Sequence, residues 1–192
     1  MKLLINILFL FFIIVASAAR SQDDGTAAVA SDAPPPPAFP CESDAAFAAF
    51  DFWVGEWEVH DGSGTYVGRN VIESEQHGCL VTETWTGARG TTGTSINYLD
   101  KTTGEWVQVW NDASGSQIHI RGGLTDDGML LTGTIHYVGN NTTAPFRGLW
   151  TPLEDGRVRQ FFEQSNDGGE TWQPWFEGFY TRKDLAQADR TD

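Results

Sequence analysis

Beyond position 50, apolar and polar residues alternate with a period of two along most of the chain. In 53–60, Trp53, Gly55, Trp57 and Val59 fall on one side of an extended strand, and Glu56, Glu58 and His60 on the other. One face is apolar and the other charged, which predicts a half-buried strand with Trp53 and Trp57 toward a core. Comparable runs, separated by Gly, Asp and Asn, predict further strands. The full set lies near 52–60, 65–75, 79–86, 93–99, 105–111, 116–123, 129–138, 145–151, 157–164 and 172–182. A single short helix through 45–50 is expected ahead of them. Ser43 or Asp44 would cap it, with Phe47 and Phe50 on one face. About ten short strands joined by tight turns predict an all-β, antiparallel, up-and-down meander. Closure into a barrel removes its edges, and a β-sandwich is the alternative.

Three turns set the register. Asp127-Gly128 reads as a two-residue type I′ turn that pairs Asp126 with Met129. Ile120 then faces Ile135, Ile118 faces Tyr137 and His119 faces His136. Lys101-Thr102-Thr103-Gly104 reads as a four-residue loop, which pairs Asn97 with Gln108 and Ser95 with Trp110. Ala113-Ser114-Gly115 reads as a three-residue loop, which pairs Trp110 with Ile118 and Gln108 with Ile120. One face of four strands then carries Ser95, Asn97, Trp106, Gln108, Trp110, Ile118, Leu131 and Tyr137. The other carries Ile96, Val107, Val109, His119, Arg121 and His136. Two tryptophans bury more apolar area than two valines, so the Trp106 and Trp110 face is placed inward.

The rest of the chain sets the context of this domain. Lys2, the apolar run Leu3 to Val15 and the small residues Ala16-Ser17-Ala18 predict a secretory signal peptide over 1–18. Residues 19–40, ending in four prolines, predict a disordered Ala/Asp/Pro-rich spacer. The folded domain is expected over 41–183 and a polar tail over 184–192. The formal net charge is −14, and loss of Lys2 with the leader makes it more negative. That charge argues against nucleic acid and anionic membrane surfaces as partners. Cys41 and Cys79 are the two cysteines, and an oxidising compartment predicts that they are bonded.

Gly55-Glu56-Trp57 resembles the G-x-W that opens lipocalin-type barrels. In those barrels a late arginine packs over the tryptophan, and Arg182 stands in a similar place. The other lipocalin loop motifs are absent. A broader similarity is to a family of secreted bacterial proteins of unknown function, predicted to be lipocalin-like. It runs through Phe50 to Val59, Gly78-Cys79, Thr84 to Gly87, Ser95 to Tyr98, Trp106 to Trp110 and Trp150 to Leu153. The resemblance implies a lipocalin-like barrel and an extracytoplasmic compartment, either periplasmic or secreted. It carries no established activity and no catalytic residues. Ser165 to Trp172 also resembles a single Asp-box, in which Asp167 would accept backbone hydrogens in a turn and Trp172 would pack beneath it.

Among candidate chemical groups, Glu83 lies between Val81 and Trp85 on an inward face. A buried carboxylate must be paired or protonated. It could serve as a general acid or base, anchor a ligand, or pair with an internal arginine such as Arg69 or Arg159. Trp57, Glu83, Asn97, Trp106, Gln108, Trp110 and Tyr137 together suit the lining of an aromatic pocket with a few orienting polar groups. Three functions follow as expectations. One is a barrel that binds a small apolar or aromatic molecule. Another is a hydrolase or isomerase using Glu83, and the third is a structural barrel filled by side chains. No cofactor is implied. His119 and His136 lack a third ligand, and His60 and His77 have no visible partner, so no metal site is expected.

Overall fold

Each alternating run pairs with the next wherever a tight turn permits. The computed structural model describes residues 39–183, so the expected leader, nearly all of the spacer and the tail lie outside the described residues. Among these residues, one α-helical turn (α1, Pro40–Ser43) and two 3₁₀ turns (Ala45–Ala48 and Asp51–Trp53) precede ten strands. The strands are β1 (Gly55–His60), β2 (Tyr66–Glu75), β3 (Leu80–Gly87), β4 (Thr92–Asp100), β5 (Glu105–Asp112), β6 (Ser116–Thr125), β7 (Gly128–Tyr137), β8 (Thr142–Pro152), β9 (Val158–Gln164) and β10 (Gln173–Arg182). Every strand is antiparallel to its sequence neighbours, and β10 closes on β1. The fold is thus an all-β, ten-stranded up-and-down closed barrel behind a short helical segment. The expected helix forms where it was placed, but as 3₁₀ turns: Asp44 caps the first, accepting from the Ala46 amide at 3.0 Å. Trp53 likewise belongs to a 3₁₀ turn rather than to the first strand.

Two of the three turns set the register as read. Gly104 and Gly115 have φ of +76° and +88°, and Asn97 faces Gln108 while Trp110 faces Ile118. The third differs. The β6–β7 loop is Asp126-Asp127, neither residue has a positive φ, and Thr125 faces Gly128. The pairing therefore shifts by two residues, which preserves the faces. Ile120 faces Gly133, Ile118 faces Ile135, His119 faces Thr134 and His136 faces Gln117. The two histidines are not opposite one another. Gly128 serves a close approach instead: a Cβ there would lie 2.1 Å from the Trp150 carbonyl oxygen on β8.

The helical segment plugs one end of the barrel. Phe50 and Trp53 are fully buried, with the Phe50 ring 5.0 Å from Trp53, 5.6 Å from Trp106 and 5.3 Å from Trp150. Burial of each such ring contributes roughly 3 kcal/mol. The Cys41–Cys79 disulfide ties α1 to the β2–β3 loop, and Lys101 Nζ donates to Asp44 Oδ2 at 2.7 Å from the β4–β5 loop. His77 does have partners here: its ring stacks on Phe39, and its Nδ1 lies 2.9 Å from Glu42 Oε1. Trp57 lies just inside the plug. Its indole N–H donates to the Trp53 carbonyl at 2.9 Å, and the Arg182 guanidinium covers its ring at 4.5 Å. Gly55 leaves room for that cation, since a Cβ there would fall 2.5 Å from Arg182 Nη1.

Much of the acidity of the chain serves its loops. Asp61, Asp100, Asp112 and Asp155 each accept backbone N–H groups two or four residues on. Asp167 does the same within Ser165 to Trp172, accepting from the Thr171 amide at 2.8 Å. These bonds, with the Thr171 and Ser165 hydroxyls, hold its carboxyl far below the usual range. Trp172 packs against the Arg147 guanidinium at 4.3 Å.

Candidate functional site

The barrel encloses a cavity of about 750 Å³ whose mouth is bordered by the β1–β2, β3–β4 and β5–β6 loops. Asp61, Tyr66, Arg89, Ser114 and Trp175 form its lip. Trp85, Trp110, Ile118, Phe162 and Phe176 form its walls. Four polar residues that line the cavity are almost wholly buried, and they make its floor: Glu83, Gln108, Gln160 and Tyr180. The volume falls in the range of small-molecule sites, and the lining combines aromatic walls with a few convergent polar groups.

Glycines explain why so many rings leave space. A Cβ at Gly68 would lie 2.6 Å from the Trp85 ring, at Gly93 2.2 Å from Trp110, at Gly148 2.3 Å from Phe162, and at Gly178 2.7 Å from Phe176. Each ring lies back over an inward-facing glycine of a neighbouring strand or of its own. The rings therefore pave the wall rather than fill the lumen.

A chain of buried polar side chains runs beneath and through the floor. Gln108 Nε2 donates to Asn97 Oδ1 at 2.9 Å, and Asn97 Nδ2 donates to Ser95 Oγ at 2.9 Å. Ser95 Oγ donates to Glu83 Oε2 at 2.7 Å. Asn70 Nδ2 donates to Glu83 Oε1 at 2.7 Å and to Tyr180 Oη at 3.3 Å. Tyr180 Oη donates in turn to Gln160 Oε1. Five strands besides that of Glu83 thus converge on one carboxyl group. The other polar atoms of the two glutamines, Gln108 Oε1 and Gln160 Nε2, have no hydrogen-bond partner among the described residues.

Glu83 has no cationic partner among the described residues. Arg69 lies exposed on the outer face of β2, and Arg159 points outward to Glu177 at 2.7 Å. The expected internal ion pair is absent because strand parity turns both arginines away from the lumen. Burial pushes the Glu83 carboxyl up to about 7, and the bonds from Asn70 and Ser95 oppose that rise. Burial and the neighbouring Glu83 charge push the Tyr180 phenol well above its ordinary range, so it stays neutral. Asn70 Oδ1 is buried without a partner. Rotation of that amide would present an acceptor to a protonated Glu83, so either protonation state can be satisfied.

The expected pocket residues separate into two groups. Glu83, Gln108 and Trp110 line the cavity. Asn97 lies behind the floor, bonded to Gln108 and to the Val81 carbonyl. Trp57 and Trp106 belong to the plugged end, where the Trp106 N–H reaches the Ala46 carbonyl at 3.3 Å. Tyr137 stands behind the lip, accepting from Trp175 Nε1 at 2.9 Å and donating to Gln164 Oε1 at 2.5 Å. Trp85 stands on the inward face expected of it beside Glu83, whereas Asn70, Gln160, Tyr180, Phe162 and Phe176 join the site unforeseen. The alternation Val158, Gln160, Phe162 is a legible signal for Gln160. In β10 it is obscured, because Phe176 and Tyr180 face inward while Phe179 faces outward under Arg157.

Among the described residues, no group of three His, Cys, Asp or Glu side chains could hold a metal ion. His136 Nδ1 is 2.8 Å from Thr143 Oγ1 on the outer face. No family model matches the chain, and no curated protein matches it.

Proposed function

We propose that this chain is an extracytoplasmic, lipocalin-like binding protein that holds a small apolar or aromatic molecule in its barrel. The observation that carries this reading is the cavity of about 750 Å³, with aromatic walls and a polar floor. Such a cavity favours binding over a barrel packed solid with side chains. The lipocalin-like character is supported by Gly55, Trp57 and Arg182, whose stacking at the plugged end matches the resemblance. Export is supported by the leader pattern over 1–18 and by the Cys41–Cys79 disulfide. The test is native purification followed by denaturing extraction and mass spectrometry. A stoichiometric small molecule that is released only on unfolding is expected. Protein that carries none, and that takes up no neutral hydrophobic dye, would overturn the reading.

One observation favours a second reading, catalysis. Glu83 is a buried carboxyl poised at about 7 in a cavity, which suits a general acid or base. A hydrolase or isomerase reaction would then show a pH–rate profile with a limb near neutrality, and Glu83→Gln would abolish that limb.

A further inference from the structure

We infer that the ligand carries a positive charge: an organic amine, with an apolar or aromatic body, whose ammonium group sits against Glu83. This rests on the reading of the cavity as a ligand site and names the class of ligand it takes.

The first argument is charge balance in the lumen. Glu83 lies on the cavity floor, and its two oxygens accept only neutral donors, from Asn70 and Ser95. A buried carboxylate without a counter-ion is costly, and a cationic partner relieves that cost. The described chain supplies none. Arg147, Arg157 and Arg159 are each paired with a carboxylate outside the barrel. Arg182 is spent on Trp57 at the plugged end. Among the described residues Arg89, at the lip, is the one cation in the cavity lining, and two aspartates line the same rim, Asp61 and Asp112.

The second argument is the wall. Trp85, Trp110, Phe162, Phe176 and Tyr180 present aromatic rings to the lumen. Ring faces carry negative electrostatic potential and attract organic cations, more strongly when water is excluded. The acceptor at Gln108 Oε1 adds a neutral partner for an ammonium hydrogen. A carboxylate ligand would meet the opposite arrangement on the floor: an acid, and one unpaired amide donor at Gln160. The formal net charge of −14 also draws cations toward the mouth and repels anions.

Binding would couple to protons. The groups around Glu83 are Asn70 and Ser95, which do not titrate, and Tyr180, which stays neutral. Arg89, Asp61 and Asp112 at the rim are the other charged groups of the lining. An ammonium that enters at a pH near 7 therefore displaces the Glu83 proton to the buffer.

Three probes of matched shape test the inference by titration calorimetry and by displacement of the neutral dye N-phenyl-1-naphthylamine. They are 3-phenylpropylammonium, 3-phenylpropan-1-ol and 3-phenylpropanoate. We expect the ammonium to bind at least about tenfold more tightly than the alcohol, which corresponds to about 1.4 kcal/mol. The propanoate should bind most weakly. At pH 6.5 the ammonium should release protons, read as an enthalpy that changes with the ionisation enthalpy of the buffer. Glu83→Gln should bring the ammonium-to-alcohol ratio close to one and remove the proton release. Glu73→Gln, on the outer face of β2, should leave the ratio unchanged. If the dye and alcohol bind but the ammonium has no advantage, or keeps it in Glu83→Gln, the amine inference fails and the cavity reading stands. If neither the dye nor any probe binds, both fail.

Discussion

Ser95 on β4 donates its hydroxyl hydrogen to Oε2 of Glu83 on β3 across 2.7 Å, inside a barrel that offers Glu83 no cation among its described residues. Burial raises this carboxyl, and the bond from Ser95, with that from Asn70, holds the rise to about 7.

The first prediction concerns stability against pH. The folded-state value for Glu83 is raised from 4.5 to about 7, so between those limits the folded protein binds more protons than the unfolded chain. Stability attributable to Glu83 is therefore complete below pH 4.5 and is lost as the pH rises toward 7. The loss is on the order of 3 kcal/mol. Urea melts at pH 4, 5.5 and 7.5 should show wild type falling relative to Glu83→Gln across this window. Ser95→Ala removes a donor to the carboxylate and should extend the fall above pH 7. A constant difference between wild type and Glu83→Gln across these three pH values would show that Glu83 titrates normally.

The second prediction separates the two ends of the barrel. Trp106 is packed against Phe50 within the plug, whereas Trp110 borders open space. Trp106→Ala should cost about 3–5 kcal/mol, as for other fully packed large-to-small changes. Trp110→Ala should cost less, about 1–3 kcal/mol, but weaken uptake of a hydrophobic dye. Val109→Ala, on the outer face, should cost under about 1 kcal/mol. Equal losses at 106 and 110, with dye uptake intact, would contradict this division.

A third prediction concerns Gly93. An added Cβ would meet the Trp110 ring at 2.2 Å, so the ring must swing into the lumen. Gly93→Ala should retain the barrel by circular dichroism yet reduce dye capacity and alter the tryptophan emission. Unchanged dye titration would show that the ring does not define the wall.

The disulfide supports a fourth. Cys41 and Cys79 close a loop with a sequence separation of 38, and the chain-entropy estimate for such a loop is about 4 kcal/mol. Reduction should lower the urea midpoint by about 2 M for a slope near 2 kcal/mol per molar. Paired Cys41→Ser and Cys79→Ser substitutions should reproduce that shift. A midpoint indifferent to reductant would mean that the plug is held by its aromatic contacts alone.

The alternation of the sequence by itself determined the ten strands, the inward face of Trp106, Trp110, Asn97 and Gln108, and the Cys41–Cys79 pair. These are consequences of local period, of turns whose length is set by Gly104 and Gly115, and of an even cysteine count. Local period does not set how strands that are distant in sequence meet, nor what occupies the space between them. Closure of the meander follows from its need to remove edges, but only the tertiary structure showed that it brings Tyr180 of β10 to Asn70, which also bonds Glu83. The period of β9 turns Arg159 outward, but apolar residues on both faces of β2 hide the parity of Arg69, and only the tertiary structure showed that Glu83 has no counter-ion among the described residues. The shift of β6 against β7 was hidden for a related reason: Gly128 lies just after its turn, at a φ of +129°, where a Cβ would also meet the carbonyl of Trp150 on a third strand. The cavity was the least legible feature. A tryptophan has the same composition whether it fills a lumen or lies back on it, and the choice was made by glycines on neighbouring strands, such as Gly68 for Trp85 and Gly148 for Phe162. Packing across strands is a property of the closed sheet, and no single strand contains it.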